Sequence, residues 1–352
     1  MIEHSSHHDT TCCEGWAVSD VIDHAEVVLA MVDNIDGESS ISKDKRLTGE
    51  LVEELKQGIE FHDERFRSLV DETAEIRHHW KGSYWSEGAG YLPHENVVVW
   101  SDIPNNRMLQ YDPETGQTTV FREPSNFTNG NTTDREGRMV TATHLTHCIS
   151  RTELDGTVTV LVDRYQGKRL NSPNDVVVKS DGTIWFTDPP YGILSDYEGY
   201  PGEQEYGGCN VFSFDPKLST LKVMIDDLDR PNGIAISPDE KKLYVADTGE
   251  NIKHLYVYDM VDGLPINRKL IYDFKPFFSD GFRCDKDGNV WTSAGKAIKC
   301  FNPQNELIGQ LIIPELVSNL EFGGVEGNIL YITATTSLYS IELNQQGARF
   351  YE

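Results

Sequence analysis

The chain has 352 residues and a formal net charge of -26, with an isoelectric point near 4.7. So acidic a surface repels the phosphates of nucleic acid and of anionic lipid, which argues against both as partners; it suits a cation binder, or simply a soluble acidic protein. Hydrophobic residues make up 38%, as in ordinary globular chains, and no apolar run approaches the length of a membrane span.

The six cysteines (Cys12, Cys13, Cys148, Cys209, Cys284 and Cys300) show no C-x-x-C spacing and are expected to be free thiols. The opening MIEHSSHHDTTCCEGW lacks a basic segment followed by an apolar one, so a cytoplasmic location is expected and the sequons at Asn126 and Asn131 are read as incidental. Residues 1–75 read as a helical, partly flexible extension. Apolar residues recur at helical spacing in VSDVIDHAEVVLAMVDNI, and LTGELVEELKQGI opens with Thr48 at a plausible N-cap. His4, His7 and His8 fall in the loose leading tail.

From residue 76 to 352 the helical pattern gives way to short β-rich runs separated by Gly, Pro, Asn and Asp turns. Six of these runs share one grammar: EGAGYLPHENVVVWSD from Glu87, NGNTTDREGRMVTATH from Asn129, NDVVVKSDGTIWFTD from Asn174, NGIAISPDEKKLYVAD from Asn232, DGFRCDKDGNVWTSAG from Asp280 and NLEFGGVEGNILYITA from Asn319. A polar residue leads, a strand follows, then a turn, then a second strand. Further strand-like runs lie between the units. Six four-stranded units at a period near 40 to 50 residues predict an all-β, six-bladed β-propeller with an N-terminal helical extension. The sixth unit lacks a fourth strand after SLYSIEL, and the run from Glu75 to Trp80 is placed to supply it, which removes an exposed sheet edge.

In a propeller the first strand of each blade lines the central channel. The leading residues Glu87, Asn129, Asn174, Asn232, Asp280 and Asn319 are therefore expected at one mouth of it. Carboxylates and amide carbonyls without His or Cys are hard oxygen donors, suited to Ca²⁺ or Mg²⁺, then Mn²⁺, and less to Zn²⁺.

The motifs SEGAGYLP, SPNDVVVKSDGTIWFTDPPYGI, RPNGIAISPDEKKLYVADT and SDGFRCDKDGNVW resemble those of the gluconolactonase, or senescence-marker-protein/regucalcin-like, family over roughly residues 76–345. NGNTTDREGRMVTATH and DRYQGKRLNSPNDVVVKSDG are similar to its bacterial-type gluconolactonase branch. The resemblance implies a propeller holding one divalent cation, most readily Ca²⁺, at the channel centre and hydrolysing sugar lactones. It implies Glu87, Asn174, Asn232 and Asp280 as metal ligands and Asn129 as a channel asparagine near the substrate. Two departures stand out: Ala89 replaces a proline that usually follows Glu-Gly, and Ser172 stands where animal members carry an arginine.

The expected reaction has the cation polarise the lactone carbonyl while a carboxylate takes the proton of the attacking water, Asp280 first and Glu87 second. Asn129, Asn131, His144 and Tyr191 are expected to orient the sugar hydroxyls, with Tyr191 in a proline-rich rim loop that could form part of a lid. Asp188 and Asp247, each ending a second strand, read as turn formers. A related propeller esterase or phosphotriesterase and a non-enzymatic calcium-binding propeller remain the alternatives. The chain is expected to act on a small molecule as a monomer or a dimer.

Overall fold

The computed structural model describes residues 58–348. Within them each of the six units turns on a Gly-, Asp- or Pro-rich turn and pairs antiparallel, as Val176–Val178 does with Ile184–Asp188. Two more strands complete each sheet. Blade one comprises Ser86–Leu92, Val97–Asp102, Arg107–Asp112 and Gln117–Arg122; blade two comprises Thr128–Thr133, Met139–Thr143, Cys148–Thr152 and Val158–Val162. The inner strands of blades three to six are Val176–Val178, Pro231–Ile236, Phe282–Cys284 and Val317–Gly323. Each inner strand touches the inner strands of both neighbouring blades, and blade six returns to blade one. The architecture is the expected six-bladed propeller.

Closure follows the expectation too. Blade six draws only three strands from its own unit, and Arg77–Lys81 pairs antiparallel with Ser337–Glu342, setting His78 opposite Tyr339. A sheet built from both chain ends locks the ring and leaves no gap between the first and last blades.

Two local devices recur and together aim the leading residues. The first is a β-bulge beside the leading residue. The register slips by one between Glu87 and Gly90, Thr128 and Asn131, Pro231 and Ile234, and Val317 and Asn319. A bulge at the start of an inner strand re-aims the side chain there instead of leaving it to the pleat. The second is an aspartate ending the second strand. Asp188 accepts the backbone N–H groups of Asn171 and Ser172, both at 2.8 Å, and Asp247 accepts those of Asp229 at 3.1 Å and Arg230 at 2.8 Å. Each carboxylate thus anchors the chain just before the inner strand of its own blade, in keeping with the turn-forming role expected of them.

Buried apolar side chains among the described residues gather into clusters between adjacent blades. One joins Val140, Ala142 and Ile149 of blade two to Val176, Ile184 and Phe186 of blade three. The largest, between blades five and six, also holds Phe66, Leu69, Val70 and Ile76 from the segment before the propeller. That segment opens with a strand, Ile59–Phe61, added to the outer edge of blade five opposite Leu311, Gln310 and Gly309. A one-turn helix, Glu64–Arg67, follows, with Asp63 as its N-cap. The helical runs expected at residues 18–35 and, up to Gln57, at 47–59 lie outside the described residues. Ile59, at the end of the second run, is in a strand, so blade sheet begins well before residue 76.

Phe66 is fully buried, its ring 5.6 Å from that of Trp291 and pressed on Gly309, where a Cβ would lie 2.1 Å from the ring. Phe66→Ala is expected to cost about 3–5 kcal/mol through the cavity it leaves. Chemical denaturation measures it; a loss below about 1 kcal/mol would show that the segment does not belong to the propeller core.

Candidate active site

The leading residues converge as the repeat requires. Glu87, Asn129, Asn174, Asn232, Asp280 and Asn319 are all buried, each at the start of the inner part of its blade. Their spacing around the channel depends on two glycines in particular. Gly88 has φ +56, and a Cβ on it would meet the Asn129 carbonyl oxygen at 1.8 Å; a Cβ on Gly233 would meet the Asp280 carbonyl oxygen at 1.9 Å. Without a side chain after the leading residue, the next blade's leading backbone comes into contact.

The side-chain oxygens left over are informative. Asn129 Oδ1, Asn174 Oδ1 and Asn232 Oδ1 are buried and have no hydrogen-bond partner. An unpaired buried carbonyl costs about 1–3 kcal/mol, and three at equivalent places point to a ligand. The orientations of two are enforced from behind. His144 Nδ1 donates to the Glu198 carbonyl oxygen at 2.9 Å, so its Nε2 is the acceptor facing Asn129 Nδ2 at 3.3 Å. Asn232 Nδ2 donates to Thr248 Oγ1 at 3.3 Å, and Thr248 Oγ1 shares a hydrogen bond with the Tyr191 hydroxyl at 2.5 Å. In both cases the amide nitrogen is occupied and the carbonyl oxygen is left to the channel.

Between these oxygens stand the two carboxylates. Burial pushes the Glu87 carboxyl well above the usual range, and repulsion from Asp280 and Asp175 adds to it. Burial does the same to Asp280, with repulsion from Glu198 and Asp175. Neither forms an ion pair among the described residues. Arg283, largely enclosed in the channel, is engaged by Glu321 at 2.9 Å and Asp175 at 3.6 Å. Two buried carboxylates with three free amide carbonyls are a hard-oxygen donor set that a divalent cation would satisfy, and its charge would reverse the upward push on both acids. No group of three or more His, Cys, Asp or Glu side chains suited to a metal occurs among the described residues; the donor set relies on asparagine.

Asn131 is a correction to the sequence reading. Its Nδ2 donates to the Gly88 carbonyl at 2.7 Å, with Ser101 Oγ and the Asn129 carbonyl at 3.1 Å, and its Oδ1 accepts from Thr141 Oγ1 at 2.9 Å. No amide atom remains for a substrate. The bulge between Thr128 and Asn131 is the reason: it breaks the alternation that would set Asn129 and Asn131 on one face. His144 and Tyr191 stand behind the ring, holding Asn129 and Thr248. Ser172 is fully buried and ties the rim loop, its Oγ donating to the Pro189 carbonyl at 2.6 Å and accepting from Gly192 N at 3.0 Å.

Sequence reasoning missed the channel plug. Arg283, from blade five, reaches the Asn131 carbonyl of blade two at 3.1 Å as well as Asp175 of blade three and Glu321 of blade six. It crosses the channel below the ring, so the ring is approached from the mouth. The signal was present as a charged residue inside each of two inner strands, FRC and VSNLEFG.

A buried polar ring at one mouth of a six-bladed propeller, stopped below by an ion-paired arginine, defines a small-molecule site of the propeller-hydrolase type. Residues 85–336 match the SMP-30/Gluconolactonase/LRE-like region family, and the chain belongs to that family. It is 32% identical over 308 residues to a gluconolactonase of Zymomonas mobilis, covering 80% of this chain and 85% of that one. The fold superposes on a gluconolactonase from Xanthomonas campestris with a TM-score of 0.78 at 34% identity, over 81% of this chain and 94% of the other. A calcium-binding protein, regucalcin, from Agrobacterium tumefaciens shares the fold at 17% identity, with a TM-score of 0.63 over 77% and 95% of the two chains.

Burial lowers the His144 imidazole to about 4, against about 6.5 when free. The unfolded chain therefore takes up this proton first. The stability contribution is complete above about pH 6.5 and is lost as pH falls toward 4, up to about 3 kcal/mol. Imidazole titration by NMR is expected to show His144 neutral at pH 5.5; a folded-state midpoint near 6.5 would contradict the arrangement.

Proposed function

We propose that this lactonase hydrolyses a sugar lactone of the glucono-lactone type to the aldonic acid, with a divalent cation, foremost Ca²⁺, held by Glu87, Asn174, Asn232 and Asp280. The observation that carries the reading is the set of three unpartnered buried amide oxygens beside two unpaired buried carboxylates. When bound, the cation supplies Lewis acidity to the lactone carbonyl and charge stabilisation to the oxyanion. The lactonase relatives support the substrate class, among them the Zymomonas mobilis gluconolactonase and a pentonolactonase of Haloferax volcanii.

Asp280 is the base. Its backbone N–H donates to Ser293 Oγ at 2.8 Å, which fixes the residue at the head of blade five. With the cation bound it is held ionised, and its carboxylate accepts the proton of a water attacking the carbonyl carbon. The proton taken by Asp280 passes to the ring oxygen as the acyl C–O bond breaks, so lactone and water leave as one hydroxy acid. Asn129 Oδ1, held outward by His144, accepts a hydrogen bond from a substrate hydroxyl. Glu87 carries the second negative charge of the ring and stands as the alternative base. Arg283 and its partners exclude solvent from below.

Stripping the protein with EDTA is expected to abolish acid release from glucono-δ-lactone, and adding Ca²⁺ to restore it; full activity after complete stripping would contradict the reading. Asp280→Asn keeps an oxygen donor and removes the base. It is expected to lower kcat about 10²–10⁴-fold while calorimetry still shows the cation bound. Turnover within a few-fold of the parent would transfer the role to Glu87.

A further inference from the structure

One insertion breaks the sixfold pattern at the mouth that bears the ring. The second and third strands of a blade are joined by residues 103–106 in blade one and 335–336 in blade six, but by residues 189–209 in blade three. Because the inner strand starts at the ring and the second strand runs back to it, this connection emerges over the ring. It is built rather than loose. It opens with the one-turn helix Tyr191–Leu194. The Tyr191 hydroxyl is bonded to Thr248 of blade four, Tyr200 N donates to the Gly192 carbonyl at 3.2 Å, and the Tyr200 ring lies edge-on to Phe127 of blade two, 5.6 Å away. The Tyr206 hydroxyl closes the far end on Asp188 at 2.7 Å.

At the inward bend of this strap sits Glu198. Its carbonyl accepts from His144 Nδ1, and the other nitrogen of that ring holds Asn129, so a single imidazole separates the Glu198 backbone from the ring. Its carboxyl has no hydrogen-bond or ion-pair partner among the described residues. Its charge is felt by Asp280, across the mouth from Asn129. Desolvation pushes the acid up to about 7. The strap thus sets Glu198 over the ring, against His144 and one residue away from Asn129, with its carboxyl not taken up by the protein's described residues.

Resting on the lactonase reading above, we infer that Glu198 reads the hydroxyl groups of the substrate and makes the site selective for polyhydroxylated lactones. A carboxylate accepts two hydrogen bonds from adjacent hydroxyls, and an acceptor that a hydroxyl-free lactone covers without pairing penalises that substrate. Asn129 Oδ1 provides a further acceptor from the blade side, so the sugar ring is held between strap and ring residues.

The test compares kcat/KM for D-glucono-δ-lactone with that for δ-valerolactone, which has no hydroxyl, using the full chain saturated with Ca²⁺. The parent is expected to favour the glucono-lactone, and Glu198→Ala to shrink that preference about 10- to 100-fold, mainly through KM. Glu198→Gln keeps the volume and one acceptor, is expected to fall between the two, and decides the matter where the alanine variant does not fold. Both variants are assayed at Ca²⁺ concentrations that calorimetry shows to saturate them, so that a weaker cation site does not enter the comparison. A preference unchanged in Glu198→Gln and Glu198→Ala would overturn the role of Glu198 while leaving the lactonase reading intact. A parent that turns over neither lactone would overturn both.

Discussion

Glu87 and Asp280 are both buried at the mouth of a channel, and Arg283, the cation that crosses it, is taken by Asp175 and Glu321. A chain does not keep two unpaired carboxylates in a low-dielectric site without a compensating charge. The free carbonyl oxygens of Asn129, Asn174 and Asn232 beside them would worsen the cost if nothing bound there. The rest of the molecule is arranged around that debt. Bulges turn the leading residues inward, glycines let neighbouring blades meet, and His144 and Thr248 occupy the amide nitrogens so that the oxygens face the channel.

The same arrangement divides labour among elements of unequal regularity. Blades supply the ring, because six equivalent strand starts place six polar residues at one level. Positions that differ from blade to blade supply what symmetry does not. Asp175 stands where blades one, two, four and five have glycine, and it is this carboxylate that draws Arg283 across the channel. Ser172, where animal relatives are expected to carry arginine, is enclosed by Asp188, Pro189 and Gly192 and serves the strap.

The periodic features were the ones legible in the sequence. Six hairpins with a polar leader, and a last blade short of one strand, were enough to predict the propeller and its closure by Arg77–Lys81. The ring residues were legible because equivalent positions repeat. Asn131 is turned into the protein by the bulge between Thr128 and Asn131, and bulges leave little trace in a single chain beyond a glycine. Ile59–Phe61 ended a helix-like run, and its strand form comes from pairing with the edge of blade five, a tertiary effect that local propensity does not report. Arg283, Glu321 and Glu198 were overlooked for a related reason: their partners lie on other blades or across the mouth, far away in sequence.

The central claim is that the ring is a cation site built mainly from asparagine carbonyls. The most direct measurement is anomalous diffraction from crystals of the protein grown with Ca²⁺ and with Mn²⁺. The account predicts one peak at the channel mouth, bonded to Glu87, Asn174, Asn232 and Asp280, with Ca²⁺–oxygen distances of about 2.3–2.6 Å. A ring without a peak at saturating cation, or an ion bound elsewhere while lactone turnover still depends on it, would contradict it.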